Sequence, residues 1–248
     1  MIYITGDTHG GFQRCGSKYF PQQTQMGRND YMIICGDFGG LWDGGQKGQL
    51  WLDWLDEKSF TTLFVDGNHE NFDLLNALPE KEWHGGRVHE VRENILHLMR
   101  GQIFTFSGLT WFTMGGASSH DIQDGVLDPE APAFDQKYWP LRRMRGMVRG
   151  KGRSWLAEEM PNAREYAEAL RNLEQVNWKV DCILSHCGPS SAVQKIDPSY
   201  GSDQLTDFLE TVNQRCQFTY WFFGHYHDNR IIDDRYILQW EQISGLEI

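Results

Sequence analysis

The residues best suited to chemistry follow five short apolar runs of the sequence. Each run passes into a polar segment that carries aspartate, asparagine or histidine: Gly6-Asp7-Thr8-His9-Gly10, Gly36-Asp37, Gly67-Asn68-His69-Glu70, Ser185-His186 and Gly224-His225-Tyr226-His227. Carboxylate, amide and imidazole donors in one set, without a thiolate, suit Mn, Fe, Zn, Co or Ni better than Ca or Mg. The pattern therefore predicts a site for divalent metal ions of this kind.

The number of donors is too large for one tetrahedral zinc and suits two adjacent ions. The candidate ligands are Asp7, His9, Asp37, Asn68, His186, His225 and His227. Two carboxylates and a bridging hydroxide leave two divalent ions with excess positive charge, which suits a phosphate ester, and the hydroxide would be the nucleophile. The alternative is a set of unrelated polar residues at loop starts, where Asp and Asn are common. That alternative does not explain two histidines directly after the run Trp221-Phe222-Phe223.

The spacing of the donors adds a geometric expectation. Asp7 and His9 are two residues apart, and in an extended segment such residues project from the same face and could reach one ion. His225 and His227 have the same spacing. His69 directly follows Asn68 and would project elsewhere, so it is the natural acid to protonate a leaving oxygen.

Strands that are buried on both faces are expected to position these donors. Nearly continuous apolar runs predict such strands over residues 2–5, 31–35, 62–65, 182–185 and 219–223. Helical patterns alternate with them, over residues 50–55, over 166–176 after an Asn162 cap, and over 205–212 after a Ser202 cap. The alternation predicts an α/β fold, and in open α/β sheets ligands bind beyond the carboxyl ends of the strands.

Composition limits the classes of partner. The chain has 248 residues, with 23 Lys and Arg against 34 Asp and Glu and a net charge of −11, which argues against binding duplex nucleic acid by bulk charge. No apolar run approaches the ~20 residues that span a bilayer, and no secretory signal is expected. The five cysteines are irregularly spaced, which favours free thiols and a cytoplasmic protein.

Residues 117–157 are the one long stretch without a clear pattern, and they are called the basic insertion below. We expect one domain over residues 1–248 with this insertion as a cap, since long insertions often bind ligands. His120 and the arginines Arg142, Arg143 and Arg145 are the candidate substrate contacts, because guanidinium groups fit phosphate. Six cationic residues cluster in one part of the insertion, at Arg142, Arg143, Arg145, Arg149, Lys151 and Arg153. They could equally form a solvated basic loop.

The ordered motifs together resemble those of the calcineurin-like metallophosphoesterases, over nearly the whole chain. The resemblance implies a four-layer sandwich of two mixed β-sheets flanked by helices, with a dinuclear metal site at one edge. Carried over by position, it implies that the first ion is held by Asp7, His9 and His227, that Asp37 bridges, and that the second ion is held by Asn68, His186 and His225. His69 would orient the phosphate and act as general acid.

The second motif departs from one branch of that family. The Ser/Thr protein phosphatases have Gly-Asp-x-Val-Asp-Arg-Gly, whose second Asp supports the catalytic His and whose Arg clamps phosphate. This chain reads Gly36-Asp37-Phe38-Gly39-Gly40-Leu41-Trp42, so both residues are missing. The sequence therefore does not indicate a protein phosphatase. The carboxylate partner of His69 is open between Glu70 and Asp73.

The function that follows is hydrolysis of phosphoric esters, as a phosphomonoesterase or a phosphodiesterase with two divalent metal ions. The expected partner is a small phosphorylated substrate, nucleotide-like compounds included, and neither a membrane nor duplex nucleic acid. Two alternatives are a catalytically silent interaction scaffold on the same fold and a single-strand nuclease that uses the basic insertion.

Overall fold

Two mixed β-sheets form the centre of the fold. The computed structural model describes residues 1–42, 44–152 and 154–246. In these residues the larger sheet has seven strands and the smaller has six, and helices cover the outer face of each sheet. The α/β sandwich that the sequence predicted is confirmed.

The elements alternate along the chain. The strands are β1 (Ile2–Thr5), β2 (Tyr31–Ile34), β3 (Thr61–Phe64), β4 (Glu80–Trp83), β5 (Gly86–Arg92), β6 (Ile95–Leu98), β7 (Ile103–Phe106), β8 (Leu109–Met114), β9 (Gly125–Leu127), β10 (Val148–Gly150), β11 (Cys182–Ser185), β12 (Tyr220–Phe223), β13 (Arg230–Ile232), β14 (Tyr236–Leu238) and β15 (Ser244–Leu246). The α-helices are α1 (Gln46–Asp56), α2 (Phe72–Asn76), α3 (Phe134–Arg143), α4 (Ala163–Gln175), α5 (Ser190–Ile196) and α6 (Gln204–Arg215), and 3-10 turns lie at Phe12–Cys15, Pro21–Gln25 and Ala157–Glu159. No helix in the described part of the chain is long and apolar enough to cross a membrane.

The central strands of both sheets run parallel. The larger sheet has the order β15-β1-β2-β3-β6-β5-β4, in which β1, β2, β3 and β6 are parallel neighbours. The smaller sheet has the order β13-β14-β12-β11-β8-β7, in which β8, β11, β12 and β14 are parallel. Parallel strands bring their carboxyl ends to one edge of a sheet, where ligands bind in α/β folds.

Continuous apolar runs form strands here because each central strand has a core on both faces. In β2, Tyr31 and Ile33 enter the core between the sheets, while Met32 and Ile34 enter the core beneath α1. Alternate residues of a strand point to opposite faces, so both sets must be apolar. The five predicted strands, which are β1, β2, β3, β11 and β12, lie within one residue of their predicted bounds.

Helix ends follow their caps. The side chain of Asn162 accepts the N–H groups of Arg164 and Glu165, and α4 begins there, as predicted. The predicted Ser202 cap of α6 is wrong, because the Asp203 carboxylate accepts the N–H of Thr206 and starts the helix one residue later. In α1, which covers the helical pattern predicted over residues 50–55, Leu52 and Leu55 are buried while Leu50 is 62% exposed.

The basic insertion has regular structure of its own. It contains α3 and the short parallel pair β9 and β10, rather than an irregular loop. Glu159, just beyond it, is buried and accepts hydrogen bonds from the N–H and hydroxyl of Ser119 and from the Trp155 indole. Both ends of the insertion are thereby fastened to one carboxylate. Arg153 and Asp43 lie outside the described residues.

Candidate metal centre

The predicted ligands meet where the two sheets present the carboxyl ends of their parallel strands. Asp7, Asp37 and Asn68 follow β1, β2 and β3 of the larger sheet. His186 follows β11 of the smaller sheet, and His225 and His227 follow β12. Strand ends that are far apart in sequence therefore supply one site.

One group of potential ligands consists of Asp7, His9 and His227, whose ligand atoms all lie within 4.8 Å of one another. His227 Nε2 is 3.2 Å from Asp7 Oδ2 and 3.4 Å from His9 Nε2. Buried Asp7 Oδ2 has no hydrogen bond of acceptable geometry, despite its nearness to His227. A buried carboxylate oxygen without a donor, facing two imidazole nitrogens, fits a cation better than it fits a hydrogen-bond network.

A second group consists of Asp7, Asp37 and His186, again within 4.8 Å. His186 Nε2 is 3.4 Å from Asp37 Oδ1 and 3.3 Å from Asn68 Oδ1. His186 Nδ1 lies 2.7 Å from the carbonyl oxygen of Cys35, to which it donates, so its other ring nitrogen, Nε2, faces Asp37 and Asn68. Asn68 Nδ2 donates to Ser119 Oγ, which likewise leaves the amide oxygen for the site.

His225 lies at the side of this second group. Its ring centroid is 5.0 Å from that of His186 and 4.3 Å from that of His120. Burial and the nearby His186 lower the pKa of His225 well below its usual range, which keeps the imidazole neutral, the form that binds metals. His225 belongs to neither close group of ligand atoms found in the described residues.

Backbone amides orient both carboxylates. The N–H of His225 donates to Asp7 Oδ1 at 3.2 Å, and the N–H of His69 donates to Asp37 Oδ1 at 2.8 Å. Burial alone would raise the pKa of Asp37, but His186, His69 and His9 hold it well below its usual range. Asp37 is therefore an anion in a buried position, as a bridging ligand must be.

The glycines before three of the ligands make room for other ligands. A Cβ at Gly36 would lie 2.1 Å from His186 Nδ1, and one at Gly67 would lie 2.0 Å from Asp37 Oδ1. A Cβ at Gly224 would lie 2.3 Å from Asp7 Oδ1. In each of the pairs Gly-Asp, Gly-Asn and Gly-His, the second residue is a candidate ligand. The glycine before it has no Cβ and so leaves room for a candidate ligand from another strand end.

Four predicted ligands have left-handed backbone, at His9 (φ 45°), Asp37 (φ 46°), His225 (φ 73°) and His227 (φ 47°). Such conformations are strained for residues other than glycine and cluster at functional sites. They also correct the spacing argument, since Asp7 and His9 meet through a turn and not through an extended segment. The N–H groups of Thr8 and His9 both donate to the carbonyl of Asp37 and hold that turn.

The sequence analysis missed the structural roles of two supporting residues, Glu70 and Arg14. The buried Glu70 carboxylate accepts the N–H groups of Phe38 (2.6 Å) and Gly39 (3.2 Å), which fixes the backbone after Asp37. Burial and Asp37 raise the pKa of Glu70 to about 8. Arg14 donates to the carbonyl oxygens of Asp7 and Trp240. Only the Asn-His-Glu motif pointed to Glu70, and nothing in the sequence marked Arg14.

The partner of His69 is not Glu70, whose oxygens are taken by backbone amides. Within the described residues, no carboxylate accepts a hydrogen bond from the His69 imidazole, and Asp73 lies in the first turn of α2. Burial lowers the pKa of His69, Asp37 opposes that effect, and Arg149 adds to it. The backbone N–H of His69 donates to Asp37 Oδ1, and this hydrogen bond keeps the residue beside the candidate metal ligands.

A cavity of about 350 Å³ opens beside these ligands, and we call it the arginine cavity. Its lining residues are Asp37, Asn68, His69, His120, Asp121, Arg149, Tyr200, His225, Tyr226 and His227. The predicted contact His120 is among them. Arg149 Nε donates to Asp121 Oδ1 at 2.8 Å, so the arginine is held in this cavity by an ion pair.

The other predicted substrate contacts lie elsewhere. Arg142 and Arg143 are exposed in the last turn of α3, and Arg145 is exposed just beyond it. None of the three lines the arginine cavity. Among the described cationic residues of the basic insertion, Arg149 is the one that lines the cavity, and the sequence could not distinguish it from its neighbours.

Comparison with known proteins agrees with this geometry. A family model described as calcineurin-like phosphoesterase matches residues 1–229. No match was found among curated proteins. Members of that family are in general metal-dependent phosphoesterases, and the two close groups of Asp and His side chains provide candidate metal ligands.

Replacing Gly67 by alanine should damage the metal centre. The new Cβ would lie 2.0 Å from Asp37 Oδ1 and 2.4 Å from Asp37 N, so the carboxylate must move. We expect Mn²⁺ affinity to fall by about 10-fold or more, as for changes that displace a ligand's support. The matched control is Gly201→Ala, where a Cβ meets nothing within 4 Å. Equal Mn²⁺ affinity in Gly67→Ala and wild type, measured by calorimetry, would contradict the packing argument.

Proposed function

Because the chain belongs to the calcineurin-like phosphoesterase family, we propose that it hydrolyses phosphoric esters with two divalent metal ions bound at the sheet edge. The observation that carries the proposal is that the two close groups of ligand atoms share Asp7. A shared carboxylate places two cation sites next to each other. Two adjacent ions are the usual arrangement for displacement at phosphorus.

The residues divide between the two ions as follows. Asp7, His9 and His227 would hold the first ion, and Asn68, His186 and His225 would hold the second. The Asp37 carboxylate faces both His9 and His186, so it would serve both ions. Ions in such a site supply a nucleophilic oxygen from water and neutralise charge on the phosphoryl group.

The chain's own residues bind and orient the ester. Arg149 donates to phosphoryl oxygens, because a guanidinium fork fits two of them, and Asp121 holds it in position. His120, on the wall of the same cavity, contacts the phosphoryl group from the side of His225. His69 holds the proton that passes to the leaving oxygen.

This arrangement also bears on the alternatives. An interaction scaffold on this fold has no need for two aspartates buried against three imidazoles, which is costly without a cation. A single-strand nuclease needs a cationic track for the backbone, whereas Arg142, Arg143 and Arg145 do not line the cavity. We therefore favour a small ester, either a monoester or a diester.

The cysteines support a cytoplasmic protein within this proposal. All five are free and buried. Burial raises the pKa of the thiols Cys15 and Cys216 to about 11. Buried free thiols are typical of a reducing compartment.

The chain acts as one domain over residues 1–248, in which the basic insertion over residues 117–157 caps the site.

Turnover of 4-nitrophenyl phosphate and bis(4-nitrophenyl) phosphate with Mn²⁺, Ni²⁺ or Zn²⁺ tests the function. Wild type should hydrolyse at least one ester and lose the activity on chelation. Asp37→Asn, which removes a bridging charge, should lower kcat by about 100-fold or more while the circular dichroism spectrum is kept. Metal-independent turnover, or wild-type rates in Asp37→Asn, would contradict the two-metal proposal.

The role of His69 predicts a dependence on the leaving group. His69→Ala should retain most of the bound metal, because Asn68 supplies the ligand at this turn. Loss of the proton donor should cost about 100-fold in kcat for an alkyl ester, and clearly less for a nitrophenyl ester, whose leaving oxygen needs little protonation. Elemental analysis that shows lost metal in His69→Ala, or equal losses for both esters, would rule out this role.

The arginines of the basic insertion can be compared directly. Arg149→Ala should raise KM for a phosphate monoester by about 10-fold, because a charge-assisted contact to the phosphoryl group is lost. The triple variant Arg142→Ala, Arg143→Ala, Arg145→Ala serves as the comparison. If the triple variant raises KM and Arg149→Ala does not, the original candidates and not Arg149 contact the substrate.

A further inference from the structure

A second cavity lies next to the metal centre, and we call it the tryptophan cavity. It has a volume of about 380 Å³ and is lined by His9, Gly39, Trp42 and His69. Trp42 is 49% exposed, which is unusual for so large an aromatic side chain. His69 lines both this cavity and the arginine cavity, so its imidazole stands at the boundary between them.

The two cavities differ in chemistry. The arginine cavity is rich in charged and hydrogen-bonding groups, among them Arg149, Asp121 and Asn68. Among the described residues, the tryptophan cavity offers two imidazoles, the Gly39 backbone and the indole of Trp42. A phosphoryl group fits the former, and a flat apolar group fits the latter.

The segment that carries Trp42 is tied to the metal centre. The carbonyl of Trp42 accepts a hydrogen bond of 2.8 Å from Asn71 Nδ2. The N–H of Gly39 donates to Glu70, and the carbonyl of Phe38 accepts the N–H of Gly10, next to His9. The turn that follows Asp37 therefore sets the position of Trp42 relative to His69.

We propose that Trp42 binds the aromatic ring of the ester's leaving group by stacking. The inference rests on the proposed function, in which His69 gives its proton to the leaving oxygen. That oxygen must then lie at His69, with the phosphoryl group on the Arg149 side and the remainder of the leaving group on the Trp42 side. The substrate class is thus a phosphoric ester whose leaving alcohol carries an aromatic ring, either an aryl group or a nucleobase.

Binding of two inert phosphonates tests the inference without turnover. Benzylphosphonate carries a ring at the leaving-group position and ethylphosphonate does not. With Mn²⁺-loaded protein in calorimetry, wild type should bind benzylphosphonate about 10-fold more tightly, a typical effect of one aromatic stack. Trp42→Ala should abolish that preference by weakening benzylphosphonate alone, and Trp42→Phe should keep most of it.

Trp139→Ala is the matched control, because Trp139 is also 49% exposed but lies on α3 and does not line the tryptophan cavity. It should bind both phosphonates as wild type does. Equal affinity of wild type for the two phosphonates, or an equal loss for both in Trp42→Ala, would overturn the proposal.

Hydrolysis distinguishes the two sources of the ring and separates this inference from the proposed function. Guanosine 5′-monophosphate compared with ribose 5-phosphate tests a nucleobase, and phenyl phosphate compared with ethyl phosphate tests an aryl group. In the pair whose ring the protein binds, Trp42→Ala should raise KM for the ring-bearing ester about 10-fold. It should leave KM for the ester without a ring unchanged. If no ester is hydrolysed, the proposed function fails, while the phosphonate affinities still decide the role of Trp42.

Discussion

Two buried aspartates impose the main constraint on this structure. Asp7 and Asp37 are each 1% exposed, and both direct carboxylate oxygens toward the same small space. Burying two like charges together is costly unless positive charge or donors compensate them. Backbone amides satisfy one oxygen of each, and His186 stands between them. One Asp7 oxygen is left without a donor, and a cation is the simplest way to satisfy it.

Many features around the site serve this constraint. Glycines before the ligands let side chains from neighbouring strands approach within contact distance. Strained left-handed residues turn the chain so that imidazoles face the carboxylates. Glu70 fixes the backbone after Asp37, and Arg14 fixes the backbone at Asp7, although the sequence indicated neither role. The strain persists because hydrogen bonds from several elements hold it in place.

The sequence predicted what depends on local pattern and missed what depends on packing. Central strands such as β1 and β11 can be recognised in the sequence because they face an apolar core on both sides and are therefore almost continuously apolar. Strand β4, with three charged residues in Glu80–Trp83, has no such pattern, since it lies at the edge of the sheet. The difference between Arg149 and Arg142 is one of tertiary placement, because β10 carries Arg149 to the site while α3 points Arg142 to solvent. No spacing rule could have separated them.

The origin of the ligands from two sheets has a consequence for assembly of the molecule. Of the proposed ligands, the larger sheet positions Asp7, His9, Asp37 and Asn68, and the smaller positions His186, His225 and His227. A partly folded chain with only one sheet formed would therefore hold only part of the proposed ligand set. On the proposed assignment, high-affinity metal binding would require that the sheets first dock through their shared apolar core. Metal affinity would then depend on how the two sheets dock. A change that lets the sheets separate at this edge would weaken metal binding even if every proposed ligand were retained.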